Sequence, residues 1–115
     1  MPGERLALAR LADVPIAVEI MPEAQRMVDE ADERWTAEHG LLADNPLLNE
    51  IEHATERLRE NPQLGMLVRR GRFRSEIRRL LLRSGWHLYY RFQAERHLVE
   101  IIAVWFGSRG SGPPL

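Results

Sequence analysis

The strongest constraint on the fold is a strand pattern in the last third of the chain. Residues 86–93 read WHLYYRFQ, with a large apolar side chain at every second position. Successive side chains of a strand point to opposite faces, so this alternation predicts a strand with one buried face. The next run, HLVEIIAVWF at 97–106, is apolar on both faces from Ile101 onward. That pattern is typical of a central strand covered on both sides.

The alternation divides the first of these strands between two faces. The predicted buried face carries Trp86, Leu88, Tyr90 and Phe92. The opposite face carries His87, Tyr89, Arg91 and Gln93.

The remaining elements follow from breakers and caps. VPIAVEIM at 14–21 is rich in β-branched residues and predicts a first strand, and Pro22 begins a helix that runs to about His39. Asn45 and Pro46 predict an N-cap and first turn of a second helix, which ends near Glu60. Residues 61–73 are loop-like, and 75–82 form a strand that meets the next one at a tight turn.

The predicted order is β-α-α-β-β-β, an α+β fold in which a helical hairpin packs on a small antiparallel sheet. We expect an N-terminal extension at 1–13, a single domain at 14–110 and a flexible tail at 111–115.

Composition excludes several classes of protein. The chain has 115 residues, 44% of them hydrophobic, and no cysteine, so a disulfide scaffold and thiolate metal sites are ruled out. We find neither a signal peptide nor a membrane span, and we expect a cytoplasmic protein. The four histidines are scattered, and neither a phosphate-binding glycine loop nor a nucleophile elbow is present.

Charge is strongly segregated along the chain. Residues 1–60 carry 6 Arg against 14 Asp and Glu, a balance of −8, whereas residues 61–115 carry 10 Arg against 3 Glu, a balance of +7. This asymmetry favours a dipolar domain with a basic face that attracts an anionic partner. The alternative is that acidic helices pair with basic strands within one fold.

The basic half is concentrated in an arginine-rich stretch interleaved with aromatic residues. Candidate binding residues for a target or a nucleic acid are Arg69, Arg70, Arg72, Arg74, Arg79, Tyr89 and Arg91. Arginine planes and aromatic faces together are typical of single-stranded nucleic-acid binding, but they also dominate protein-binding hot spots. Part of the stretch also fits an ordinary core with a solvated rim.

Several segments resemble the RelE/ParE superfamily of bacterial type II toxin–antitoxin toxins. The similarity covers about residues 16–110 and is carried by VEIMPEAQRMVDEADERW, ERLRENPQLG, IRRLLLRSGWHLYYRF and VEIIAVWFGSRG. The resemblance implies a small cytoplasmic bacterial toxin that a cognate antitoxin binds and silences in a hetero-oligomer. It implies neither a cofactor nor a metal, and it associates the chain with plasmid stabilisation and growth inhibition.

The superfamily has two branches that differ in target. RelE-like members cut mRNA on the ribosome with a basic and aromatic site, and in that pattern the catalytic positions fall on Arg78, His87 and Arg109. ParE-like members keep the fold, lack that site and poison DNA gyrase. Here Phe106 replaces a histidine that is common in RNase relatives, and the tail has no tyrosine. The sequence therefore favours a ParE-like or weakly catalytic toxin that acts by binding a target such as DNA gyrase. A ribosome-dependent mRNA endoribonuclease and a degenerate, non-toxic binding module remain alternatives.

Overall fold

The structure, a computed structural model, describes residues 15–70, 76–107 and 112–113. The predicted N-terminal extension at 1–13 lies outside the described residues, as does the predicted tail except for 112–113. The elements in chain order are β1 (Ala17–Ile20), α1 (Pro22–His39), α2 (Pro46–Glu60), β2 (Met66–Arg70), β3 (Glu76–Leu81), β4 (Trp86–Gln93), a single 3-10 turn (Ala94–Arg96) and β5 (Leu98–Phe106).

Both helices begin and end where local chemistry predicts. Pro22 and Pro46 occupy the first turns, and the side chain of Asn45 accepts a hydrogen bond from Leu47 N at 3.0 Å. Gly40 ends α1 with φ 89°, a left-handed value that glycine adopts without steric cost. The predicted bounds of the two helices are therefore confirmed.

The α+β fold is confirmed, with a helical hairpin on one face of the sheet. The sheet itself has five strands in the order β1-β5-β4-β3-β2. It is mixed rather than antiparallel, because β1 pairs with β5 in parallel, from Ala17 opposite Leu98 to Ile20 opposite Ile101. The chain between these two parallel strands passes through both helices and through β2, β3 and β4, which provides the long connection that a parallel pair needs.

One strand was missed by the sequence analysis. The segment predicted to be a loop at 61–73 contains β2, which pairs antiparallel with β3 at the edge of the sheet. Its sequence, MLVRR, has no clear alternation, and a register shift between Leu67 and Arg69 interrupts the strand. An irregular edge strand of this kind lacks the period on which strand prediction depends.

The main core lies between the helices and the inner face of the sheet. The predicted buried face of β4 is confirmed, since Leu88 and Tyr90 are fully buried and Trp86 and Phe92 pack against the cluster as partly buried residues. The other buried members of this core come from both helices, from β3 and the residue that follows it, and from β5, namely Ala24, Val28, Ala31, Leu47, Ile51, Ala54, Leu58, Leu80, Leu82, Val99, Ile101 and Val104.

A second, smaller cluster lies on the opposite face, which we call the outer face. Its buried members are Ile77, Tyr89 and Ala103. Strand β5 contributes to both clusters. Its register shifts opposite Tyr89 and Tyr90 and leaves Ile102 as the extra residue, so that Ala103 belongs to the outer cluster and Val104 to the main core. No helix in the described part of the chain is long and apolar enough to cross a membrane.

Candidate functional site

The outer face of the sheet carries the predicted site residues that the structure brings together. Register places Tyr89 opposite both Arg79 and Ala103, and His87 opposite both Leu81 and Trp105. Residues paired across neighbouring strands share a face, so His87, Tyr89 and Arg79 lie on one surface. The ring centroids of His87 and Tyr89 are 6.4 Å apart.

His87 is held against the loop that follows β5. The backbone N–H of Gly107 donates to Gly85 O at 3.0 Å, and this bond closes the open end of the hairpin formed by β4 and β5. A Cβ atom on Gly107 would lie only 2.6 Å from His87 Nε2, so the imidazole occupies the space that glycine leaves. Glycine at this position therefore permits the observed placement of His87.

The environment of His87 favours its neutral form. Partial burial lowers the pKa of His87 below its usual value, and the nearby positive charge of Arg79 lowers it further. A neutral imidazole can accept a proton or a hydrogen bond through one nitrogen and donate through the other.

Arg79 supplies positive charge to this surface. Its Nε atom is buried and has no hydrogen-bond partner within the described ranges 15–70, 76–107 and 112–113. The backbone carbonyl oxygen of Arg79 lies close to Gly65, and a Cβ atom added to Gly65 would be 2.9 Å from that oxygen.

Tyr89 is 7% exposed and carries the apolar part of the surface. A Cβ atom on Gly112 would lie 3.6 Å from the Tyr89 hydroxyl, so this part of the tail runs beside the tyrosine.

Arg78 does not lie beside His87, contrary to the expectation that it completes a site with that residue. It pairs with Tyr90 on the inner face, where its Nη1 donates to Gly65 O at 2.9 Å and to Gln63 O at 3.4 Å. The hydroxyl of Tyr90 accepts from Gly65 N at 2.8 Å. Arg78 and Tyr90 thus hold the backbone at the start of β2, and Arg79 is the arginine that shares a face with His87.

Arg91 is on the outer face, but its charge is paired. Its Nε donates to Glu100 Oε1 at 2.8 Å, and the side chain of Gln93 donates to the same carboxylate. Glu100 is only 7% exposed, and a buried carboxylate of this kind needs such partners. Arg91 therefore stabilises Glu100 and offers less charge to a ligand than the sequence suggested.

Other predicted site residues can be placed only in part. Arg69 and Arg70 belong to β2, with their backbones opposite Ile77 and Glu76. Arg72, Arg74 and Arg109 lie outside the described residues.

Trp105 is an outer-face residue that the sequence analysis did not single out. It lies opposite His87 and packs against the second cluster. Because the register of β5 shifts at Ile102, alternation counted from the start of the strand does not assign this residue to the correct face.

Phe106 packs on the inner side, with its ring 5.4 Å from that of Trp86.

A metal centre receives no support from the geometry. Among the residues that the structure describes, no three His, Cys, Asp or Glu side chains are grouped so that they could hold a metal ion. What the outer face offers is a neutral imidazole, a guanidinium and two aromatic rings, which suit hydrogen bonding, stacking and charge attraction.

The helical hairpin packed on a mixed sheet matches the fold of RelE/ParE-like toxins. A chain from the crystal structure of the toxin–antitoxin complex RelBE2 from Mycobacterium tuberculosis superposes with a TM-score of 0.55. The match has 20% sequence identity and covers 81% of this chain and 99% of that chain, so it establishes the fold alone.

Sequence comparison identifies the family. Residues 18–110 match the model described as the ParE toxin of the type II toxin–antitoxin system, parDE. Because the match covers most of the 115 residues, the chain belongs to the ParE toxin family of type II toxin–antitoxin systems. No curated protein matches the chain.

Proposed function

We propose that this chain is the toxin of a type II toxin–antitoxin module, that a cognate antitoxin neutralises it in a hetero-oligomer, and that it acts by binding a protein target, DNA gyrase. The toxin is cytoplasmic and bacterial, inhibits growth and stabilises the plasmid or locus that encodes it. Membership of the ParE family supports this proposal, and so does the solved toxin–antitoxin complex with the same fold.

The observation that carries the choice of a binding mechanism is the position of Arg78. Metal-independent RNA cleavage needs a base, an acid and charge stabilisation at one phosphate. Arg78 is engaged by backbone carbonyls on the inner face, so it is not available to a phosphate held beside His87. Among the described outer-face residues, the polar groups next to His87 are those of Arg79, Tyr89 and Trp105. A surface of this composition is typical of a protein-binding hot spot.

The alternative is a ribosome-dependent endoribonuclease in which Arg79 replaces Arg78 at the phosphate and His87 transfers the proton. One specific observation favours it, which is that His87 and Arg79 are close enough for Arg79 to lower the pKa of the imidazole. In that case Arg109 is the remaining candidate for the second phosphate contact.

A pair of assays separates the two mechanisms. Purified protein is added to DNA gyrase in a supercoiling assay and, separately, to translating ribosomes with a labelled mRNA. Loss of supercoiling with intact mRNA is the expected result, and Arg79→Ala and Tyr89→Ala weaken the inhibition. mRNA cleavage that disappears in His87→Ala, with unchanged supercoiling, would establish the RNase instead. If the protein arrests growth but neither inhibits supercoiling nor causes mRNA cleavage, both proposed targets are refuted.

A further inference from the structure

A groove separate from the outer face lies between α2 and the hairpin that joins β3 to β4. Its volume is about 520 Å³. Its lining includes Glu50, His53, Ala54 and Arg57 from one side of α2, and Leu82 and Arg83 at the entry to the turn.

Among the described residues that line this groove, one carries a carboxylate, and that carboxylate is already engaged. Glu50 accepts a hydrogen bond from Ser84 N at 2.8 Å and another from the Ser84 hydroxyl. These two bonds tie α2 to the β3–β4 turn and fix the width of the groove. A carboxylate that accepts two hydrogen bonds has less capacity left for neighbouring cations.

The cations of the groove, by contrast, are unpaired. Within residues 15–70, 76–107 and 112–113, neither Arg57 nor Arg83 makes an ion pair, and both are exposed. His53 lies one turn of α2 before Arg57. The groove therefore presents two free guanidinium groups and an imidazole.

Charge on α2 is segregated around the helix. The acidic residues Glu52, Glu56 and Glu60 are exposed and do not line the groove, whereas His53 and Arg57 do. Beneath the cations, Ala54 and Leu82 are 2% and 8% exposed and give the groove an apolar floor. An apolar floor with unpaired cations at its rim is complementary to an amphipathic segment that carries carboxylates.

We propose that this groove docks an acidic amphipathic segment of the antitoxin, with an apolar side chain over Ala54 and Leu82 and carboxylates on Arg57 and Arg83. The inference rests on the proposed function, because it assigns a surface to the antitoxin that the proposed function requires. It places antitoxin docking on the helix side of the molecule, apart from the outer face that contains His87.

The test measures binding of the protein encoded by the adjacent reading frame to the full chain by calorimetry. The groove variant is Arg57→Glu with Arg83→Glu, and the matched control is Arg34→Glu with Arg59→Glu. The control arginines are exposed, do not line the groove, and give the same change in net charge. Melting temperature is measured for every variant, and Arg57→Gln with Arg83→Gln replaces the groove variant if charge reversal prevents folding.

The expected result is a rise in Kd of about tenfold or more for the groove variant, since charge pairs at a partly desolvated interface contribute strongly to binding. The control stays within about threefold of wild type, because exposed charges outside an interface act mainly through screened long-range attraction. The dependence of Kd on salt concentration becomes weaker in the groove variant.

Equal Kd values for the groove variant and wild type would overturn the inference while leaving the antitoxin partner in place. Failure of wild type to bind the neighbouring protein would overturn the proposed function and the inference together. If the wild-type chain self-associates and the variant Arg57→Glu with Arg83→Glu does not, the groove binds a second copy of the chain instead.

Discussion

Tyr90→Phe tests the contact that fixes the start of β2. The Tyr90 hydroxyl accepts a hydrogen bond from Gly65 N at 2.8 Å, and Tyr90 is fully buried. Burial raises the pKa of Tyr90, so the hydroxyl stays protonated at neutral pH. Phenylalanine keeps the ring and its packing and removes only the oxygen, so the change isolates this bond.

The expected cost follows from the group that is left behind. Gly65 is buried, and its N–H loses its acceptor while the ring still keeps water out. A buried donor without a partner costs about 1–3 kcal/mol. For a chain of this size, each 1 kcal/mol lowers Tm by about 4 °C, so Tm should fall by roughly 4–12 °C.

Thermal unfolding followed by circular dichroism measures the effect, and urea unfolding gives the free energy. Tyr89→Phe is the matched control, because it removes a hydroxyl from the same strand on the opposite face. The structure gives the Tyr89 hydroxyl no hydrogen bond within the described residues, so the control should melt close to wild type. Equal Tm values for Tyr90→Phe and Tyr89→Phe would refute the assignment of stability to the Tyr90–Gly65 bond.

Three further changes test the site and the core. Gly107→Ala should displace the His87 ring and cost about 1–3 kcal/mol, because its Cβ would lie 2.6 Å from His87 Nε2; an unshifted His87 signal in the NMR spectrum would contradict this. Because the folded pKa of His87 is lowered, the unfolded state binds more protons below about pH 6.5, and stability should fall as the pH drops through that value. Urea unfolding at pH 7.5 and 5.5 should show a smaller pH effect in His87→Gln than in the exposed control His53→Gln. Trp86→Ala should lower the free energy of unfolding by less than the roughly 3–5 kcal/mol expected for a fully buried tryptophan, since Trp86 is only partly buried. A larger loss of unfolding free energy, measured by calorimetry, would show that the contact of Trp86 with Phe106 stabilises the fold more than its partial burial indicates.

The elements that the sequence predicted well are those with local signals. Asn45 and Pro46 begin α2 by a cap and a fixed φ, and both effects act within a few residues of the chain. The alternation in β4 identifies its buried face because the strand is regular and one side packs on helices. Such signals need no knowledge of which strands are neighbours.

The strands that the sequence predicted poorly depend on pairing. β2 is short, lies at an edge and contains a register shift, so its stability comes from β3 rather than from its own pattern. The parallel pairing of β1 with β5 joins the first and last strands of the chain, so it depends on contacts between distant segments. The strand propensity of a single segment therefore predicts neither the pairing of β2 with β3 nor the pairing of β1 with β5.

The composition of the site depends on a single step of strand register. Arg78 and Arg79 are adjacent, identical side chains in β3, and the sequence offers no reason to place one rather than the other beside His87. Pairing of β3 with β4 decides the matter, since it sets Arg79 opposite Tyr89 and Arg78 opposite Tyr90. Because side chains alternate between faces, one arginine joins the outer face while the other binds backbone carbonyls on the inner face. The two arginines should therefore separate in mutagenesis: Arg79→Ala should weaken target inhibition with little loss of stability, whereas Arg78→Ala should lower Tm because Gly65 O loses its donor. The reverse outcome would show that the register of β3 is shifted by one residue.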